Sequence, residues 1–84
     1  MQTGQVDFET IDQQIGVFGL QDSNIKQIEK NLSVQVSLRD SKVEVRGEEE
    51  GNIDVAVAVM NALKRIYNSG EIINDDVVSR TIEL

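Results

Sequence analysis

The stretch VQVSLRDSKVEVRG, from Val34 to Gly47, decides the fold class. Val34, Val36 and Leu38 alternate with Gln35, Ser37 and Arg39, which predicts a strand buried on one face. Asp40-Ser41 is turn-forming sequence. Val43 and Val45 then alternate with Lys42, Glu44 and Arg46, predicting the returning strand, and Gly47 closes the unit. Outward from this hairpin the period changes to helical on both sides. Ile25, Ile28 and Leu32 recur at i, i+3 and i+7 behind Asp22-Ser23-Asn24, three residues that cap helices well, so a helix is expected over roughly 23–31. On the far side Ile53, Ala56, Val59, Leu63, Ile66 and Tyr67 form a second stripe, widened by Val55, Val57 and Met60. Glu48-Glu49-Glu50 favours a helix start through the helix dipole, Asn52 reads as the N-cap, and Ser69-Gly70 reads as the stop.

The N-terminal segment supplies a third strand. Val6 and Phe8 alternate with Asp7 and Glu9, and Ile11 keeps the period, so a strand is expected from Gln5 to Ile11. Asp12 can begin a short helical segment that carries Ile15 and Val17, weakened at Gly16 and ended by Gly19. Beyond Gly70, Asn74-Asp75-Asp76 can cap a final helix holding Val77, Val78 and Ile82. The order is strand, short helix, glycine loop, helix, strand, strand, long helix. An α+β domain follows, with a three-stranded antiparallel sheet and helices packed on one face.

Composition narrows the chemistry. Phe8, Phe18 and Tyr67 are the whole aromatic inventory, so aliphatic side chains must fill the core. Phe18 reads as a core residue beside Val17, with base stacking as the other reading. The chain has neither cysteine nor histidine, which removes disulfides, Cys/His zinc sites, and Ser-His or Cys-His nucleophiles. No 18-residue apolar run is present, so no membrane-spanning helix is expected, and a staple-free domain suits a reducing cytoplasm. The carboxylate clusters Glu48-Glu49-Glu50 and Asp75-Asp76 stand beside helix starts, where caps and dipole partners are commoner than weak Mg²⁺ or Ca²⁺ ligands. The expectation is a chain with no catalytic group, metal or cofactor of its own. The net charge of −7 disfavours a phosphate-binding role. That charge is unevenly spread. From Gly19 to Arg46 five basic residues, Lys26, Lys30, Arg39, Lys42 and Arg46, face four acids, Asp22, Glu29, Asp40 and Glu44.

The stretch Phe18-Gly19-Leu20-Gln21-Asp22-Ser23-Asn24-Ile25-Lys26-Gln27-Ile28-Glu29 resembles the signature of KH-type nucleic-acid-binding modules. That signature has a glycine, a second glycine three residues later, and isoleucines at the sixth and ninth following positions. Gly19, Ile25 and Ile28 match, and Asp22 stands where the second glycine would be. The stretch from Val45-Arg46-Gly47 to Ala56 also resembles the KH continuation. More closely, Phe18-Gly19, the acid Asp22 and Asn24-Ile25-Lys26-Gln27-Ile28-Glu29 are similar to the N-terminal domain of the PhoH-like family, phosphate-starvation-inducible predicted ATPases of bacteria. Gly47-Glu48-Glu49-Glu50 and the tail Ile72 to Leu84, with its Asp76-Val77, extend that similarity over about residues 5–84. In that family a P-loop ATPase domain follows. No Gly-x-x-x-x-Gly-Lys-Ser/Thr stretch occurs here.

The resemblance implies a KH-like domain over residues 1–70, with its core in 5–70, and an extension over 71–84 leading toward an ATPase domain. It implies a non-catalytic accessory role, with the parent's ATPase domain as partner and weak contact with single-stranded RNA. The RNA-contacting residues that the resemblance implies are Gly19, Leu20, Gln21, Asp22, Lys26, Lys30 and Arg39. In a KH loop, backbone amides at a helix N-terminus attract phosphate, and a glycine lets the nucleic-acid backbone come close. Asp22 can occupy those amides as a cap and repels phosphate by its charge; the plainer reading is an ordinary N-cap after a helix-ending Gly19. Lys26 and Lys30 likewise read either as a groove wall or as a solvated helix face. Two further readings remain: a KH-like domain used for protein contact without RNA, and an autonomous adaptor domain.

Overall fold

The computed structural model describes residues 2–39 and 42–83, without the side chains of Leu20 and Arg39. Strand β1 spans Gln2–Asp7, helix α1 Ile11–Phe18, helix α2 Ser23–Leu32, strands β2 and β3 Gln35–Arg39 and Lys42–Gly47, helix α3 Glu50–Asn68 and helix α4 Asp75–Glu83. The expected turn at Asp40-Ser41 lies outside the described residues.

The fold is α+β with one antiparallel sheet in the order β1-β3-β2. Val6 pairs with Val43 in register, and Val43 also faces Leu38, while Val45 faces Val36. Because side chains alternate along a strand, this register puts the apolar set of all three strands on one face. Helix α3 covers that face along β1 and β3. The other face carries Gln5, Ser37, Glu44 and Arg46, and the Arg46 guanidinium lies 3.6 Å from the Glu44 carboxylate.

Several boundaries differ from the sequence reading. Strand β1 begins three residues earlier than expected and stops at Asp7, so Ile11 belongs to α1 and is exposed. Thr10, not Asp12, caps α1: its side chain accepts from the Gln13 N–H at 3.0 Å. The Gln13 side chain accepts from the Glu9 N–H at 3.0 Å and donates to Asn68 Oδ1 at 2.9 Å. A buried glutamine is thereby satisfied, and the start of α1 is tied to the end of α3. Asn52 is not the N-cap of α3; Glu49 is, and Asn52 lies within the first turn. Val55, expected to widen the buried stripe of α3, is exposed.

The tail joins the same core. Asn74 caps α4 by accepting from the Val77 N–H at 3.0 Å, as its position predicts. Ile73, Val77 and Val78 are buried in one cluster with Ile28, Met60 and Leu63. Phe18 is buried as well, edge-on to Phe8 at 5.9 Å between ring centroids. At the end of β1, the Lys64 ammonium donates to the Asp7 carbonyl, lies 3.5 Å from the Glu9 carboxylate and sits 5.5 Å above the Phe8 ring. None of the described helices is long and apolar enough to cross a membrane.

Candidate functional site

Gly19, Leu20, Gln21 and Asp22 form the connection between α1 and α2. Gly19 has φ +82, and a Cβ there would stand 2.6 Å from the Asn24 amide nitrogen. Conformation and space both require glycine at this position. Residues 20–22 make a single tight turn, with the Asp22 N–H donating to the Gly19 carbonyl at 3.2 Å. Gln21 and Asp22 both take left-handed conformations, φ +53 and +59. Such a pair costs roughly 1–2 kcal/mol per residue for ordinary side chains, less for Asp, which tolerates this region.

The loop is held from below by Asn24. This side chain is 1% exposed. It donates to the Val17 carbonyl at 3.1 Å and to the Ile73 carbonyl at 3.4 Å. Those bonds gather the end of α1, the start of α2 and the linker into α4 at one place. Asn24 therefore sits under the loop as a fastener and not, as its place in the Asp22-Ser23-Asn24 trio implied, as one of a set of caps.

Asp22 also departs from expectation. It occupies the N-cap position of α2, but its carboxylate makes no capping hydrogen bond. Side-chain capping needs an extended N-cap backbone, and this one is left-handed. The carboxylate stays exposed in front of α2, so it opposes phosphate by charge and not by occupying the helix amides.

Lys26 and Lys30 are exposed and one turn apart on α2. They border an open depression of about 400 Å³ with Ser23, Gln27 and Asp75. The depression runs toward α4, where Gln27 Nε2 donates to Ser79 Oγ at 2.6 Å. The α2 side chain that reaches β2 is Glu29. Its Oε2 accepts from the Val36 N–H at 2.9 Å. Alternate residues of an edge strand turn their N–H away from the sheet, so this is a group that a ligand laid along β2 would use. Arg39 ends β2 in register with Lys42, and its side chain, like that of Leu20, lies outside the described residues.

The structure thus brings Gly19, Gln21, Asp22 and Lys26 to one end of α2, puts Lys30 a turn further on beside Asp75, and leaves Arg39 on the sheet. Glu29 was not singled out in the sequence, because an acid between two lysines on a helix reads as a solvated face. Its partner is a backbone group seven residues away, which side-chain spacing does not reveal. Among the described residues no group of three acids is placed to hold a metal ion. Comparison of this chain with protein-family models, with curated proteins and with solved structures finds no match.

Proposed function

We propose that this chain is a KH-like accessory domain of a PhoH-like protein, without catalysis of its own, whose contact with single-stranded RNA is weak. The element order, the sheet with β3 at its centre and the glycine turn between α1 and α2 support the KH-like reading. The observation that carries the functional half is the Glu29–Val36 contact at 2.9 Å. It places a carboxylate in the cleft between α2 and β2 and uses an outward N–H of the edge strand. With Asp22 exposed at the loop, two negative charges border the path that a phosphate backbone would follow, against Lys26 and Lys30 on the α4 side.

The test is a titration with a single-stranded RNA of about ten nucleotides at low salt, followed by amide shifts over Gly19–Leu38. The unmodified domain is expected to show small shifts and no saturation. The double variant Asp22→Gly, Glu29→Gln removes both charges and is expected to gain affinity; adding Lys26→Glu and Lys30→Glu reverses the gain. Tight binding by the unmodified domain through this loop overturns the weak-contact reading. A folded double variant that gains nothing moves the function to protein contact, the second reading, which the exposed Ile11 and Ile15 of α1 favour.

A further inference from the structure

We propose that the groove between α1 and the linker from α3 to α4 is a docking site for a cationic amphipathic helix of a protein partner. The groove holds about 550 Å³, and Gly16, Tyr67, Glu71 and Ile72 are among its walls. Gly16 keeps it open onto the Tyr67 ring, since a Cβ there would stand 2.2 Å from that ring. Ile72, in the groove wall, is 82% exposed; on α1, outside the groove lining, Ile15 beside Gly16 and Ile11 one turn before Ile15 are 59% and 73% exposed. A concave surface walled by Tyr67 and Ile72, with exposed apolar side chains on the adjoining helix, suits a helix presenting anchors at i, i+3 and i+4.

Charge decides which helix. No Lys or Arg occurs before Lys26, and none between Arg65 and Arg80. Those two segments build the groove and its surroundings, and they carry Asp12, Asp22, Glu71, Asp75 and Asp76. Of the two cations on α3 just before Tyr67, Lys64 is engaged with Asp7 and Glu9, and exposed Arg65 sets one positive charge against these five acids. The field over the groove is therefore negative and attracts a cationic segment. It repels nucleic acid, and it repels a second copy of this chain presenting the same face, because a two-fold contact would set these acids against themselves.

The proposal concerns a different surface from the α2–β2 cleft and stands or falls separately from RNA contact. The probe is a synthetic helix of about 14 residues, roughly four turns, with Leu at i, i+3, i+4 and i+7 and Lys elsewhere. A Leu/Glu peptide and a Ser/Lys peptide of the same pattern serve as controls. Saturable amide shifts confined to Ile11–Gly16 and Tyr67–Ile73 are expected for the Leu/Lys peptide, weakening with added salt. The exposed double variant Ile15→Ser, Ile72→Ser should bind about tenfold less tightly. Leu38→Ser, on β2, should bind as the unmodified chain does. Equal binding of either control peptide, or no loss in the double variant, overturns the proposal. So does concentration-dependent self-association in sedimentation that the double variant abolishes, which would make a second copy the occupant.

Discussion

Asp22 and Gly19 sit three residues apart in one loop, both with positive φ, yet substitutions at them should act in opposite directions. At Gly19 any side chain meets the left-handed backbone and the Asn24 amide together. Gly19→Ala is expected to cost about 1–3 kcal/mol, from conformational strain and displacement of a buried hydrogen-bonding side chain. Asp22 forms no capping bond to lose, and its φ of +59 is one that glycine adopts freely. Asp22→Gly should therefore be neutral or stabilising by up to about 1 kcal/mol, with unfolded-state entropy offsetting part of the relief. Urea melts of the two variants decide the matter. A clear loss at Asp22 would mean that the carboxylate supports α2 after all.

Between elements, the contact between the end of β1 and α3 rests on Lys64, Glu9 and Asp7. The Glu9 carboxyl is held below its ordinary value of 4.5, first by hydrogen bonding from its own backbone N–H and then by the charge and hydrogen bond of Lys64, while partial desolvation opposes them. A carboxyl with a lowered folded-state pKa adds stability that is fully present above its unfolded value and is lost as pH falls through the folded value. Glu9→Gln should thus lower the melting temperature at neutral pH, by a margin that shrinks once the pH drops below 4.5. A margin that stays constant across that range would show that the contact depends on shape and not on charge. The start of α1 is organised by two bonds through Gln13, its N–H donating to Thr10 Oγ1 and its side chain accepting from the Glu9 N–H. Thr-x-x-Gln is a recognisable helix-start pattern. It was legible in the sequence, but Asp12 and the apparent continuation of the strand through Ile11 obscured it.

At the scale of the molecule, α4 is not an appendage. The extension read from residue 71 onward contributes Ile73, Val77 and Val78 to the common core, and the Ile73 carbonyl accepts from Asn24 beneath the loop. Burial of three aliphatic side chains is worth roughly 5–9 kcal/mol, close to the whole stability of a small domain. A chain ending at Gly70 is expected to lose cooperative unfolding and amide dispersion. If it melts at the same denaturant concentration as the full chain, α4 packs without supporting the rest. The same packing governs the loop, since Asn24 spans from α1 to the linker and cannot hold Gly19–Asp22 alone.

What the sequence determined by itself was everything that local period and local chemistry carry. Alternation around Val36 and Val45 specified two strands and the face they bury, because a shift of one residue would turn every valine outward. Helical spacing at Ile25, Ile28 and Leu32, and from Ile53 to Tyr67, specified α2 and α3, and Asn74 marked the start of α4. Tertiary structure alone decided which polar groups meet. Glu29 finds Val36, Asn24 finds Ile73 and Gln13 finds Asn68, pairings set by how elements cross and not by spacing within any one of them. It also decided the backbone of Asp22: a residue that caps helices well in an extended conformation is driven left-handed by the tight connection from Gly19 into α2, and there its carboxylate is left to solvent.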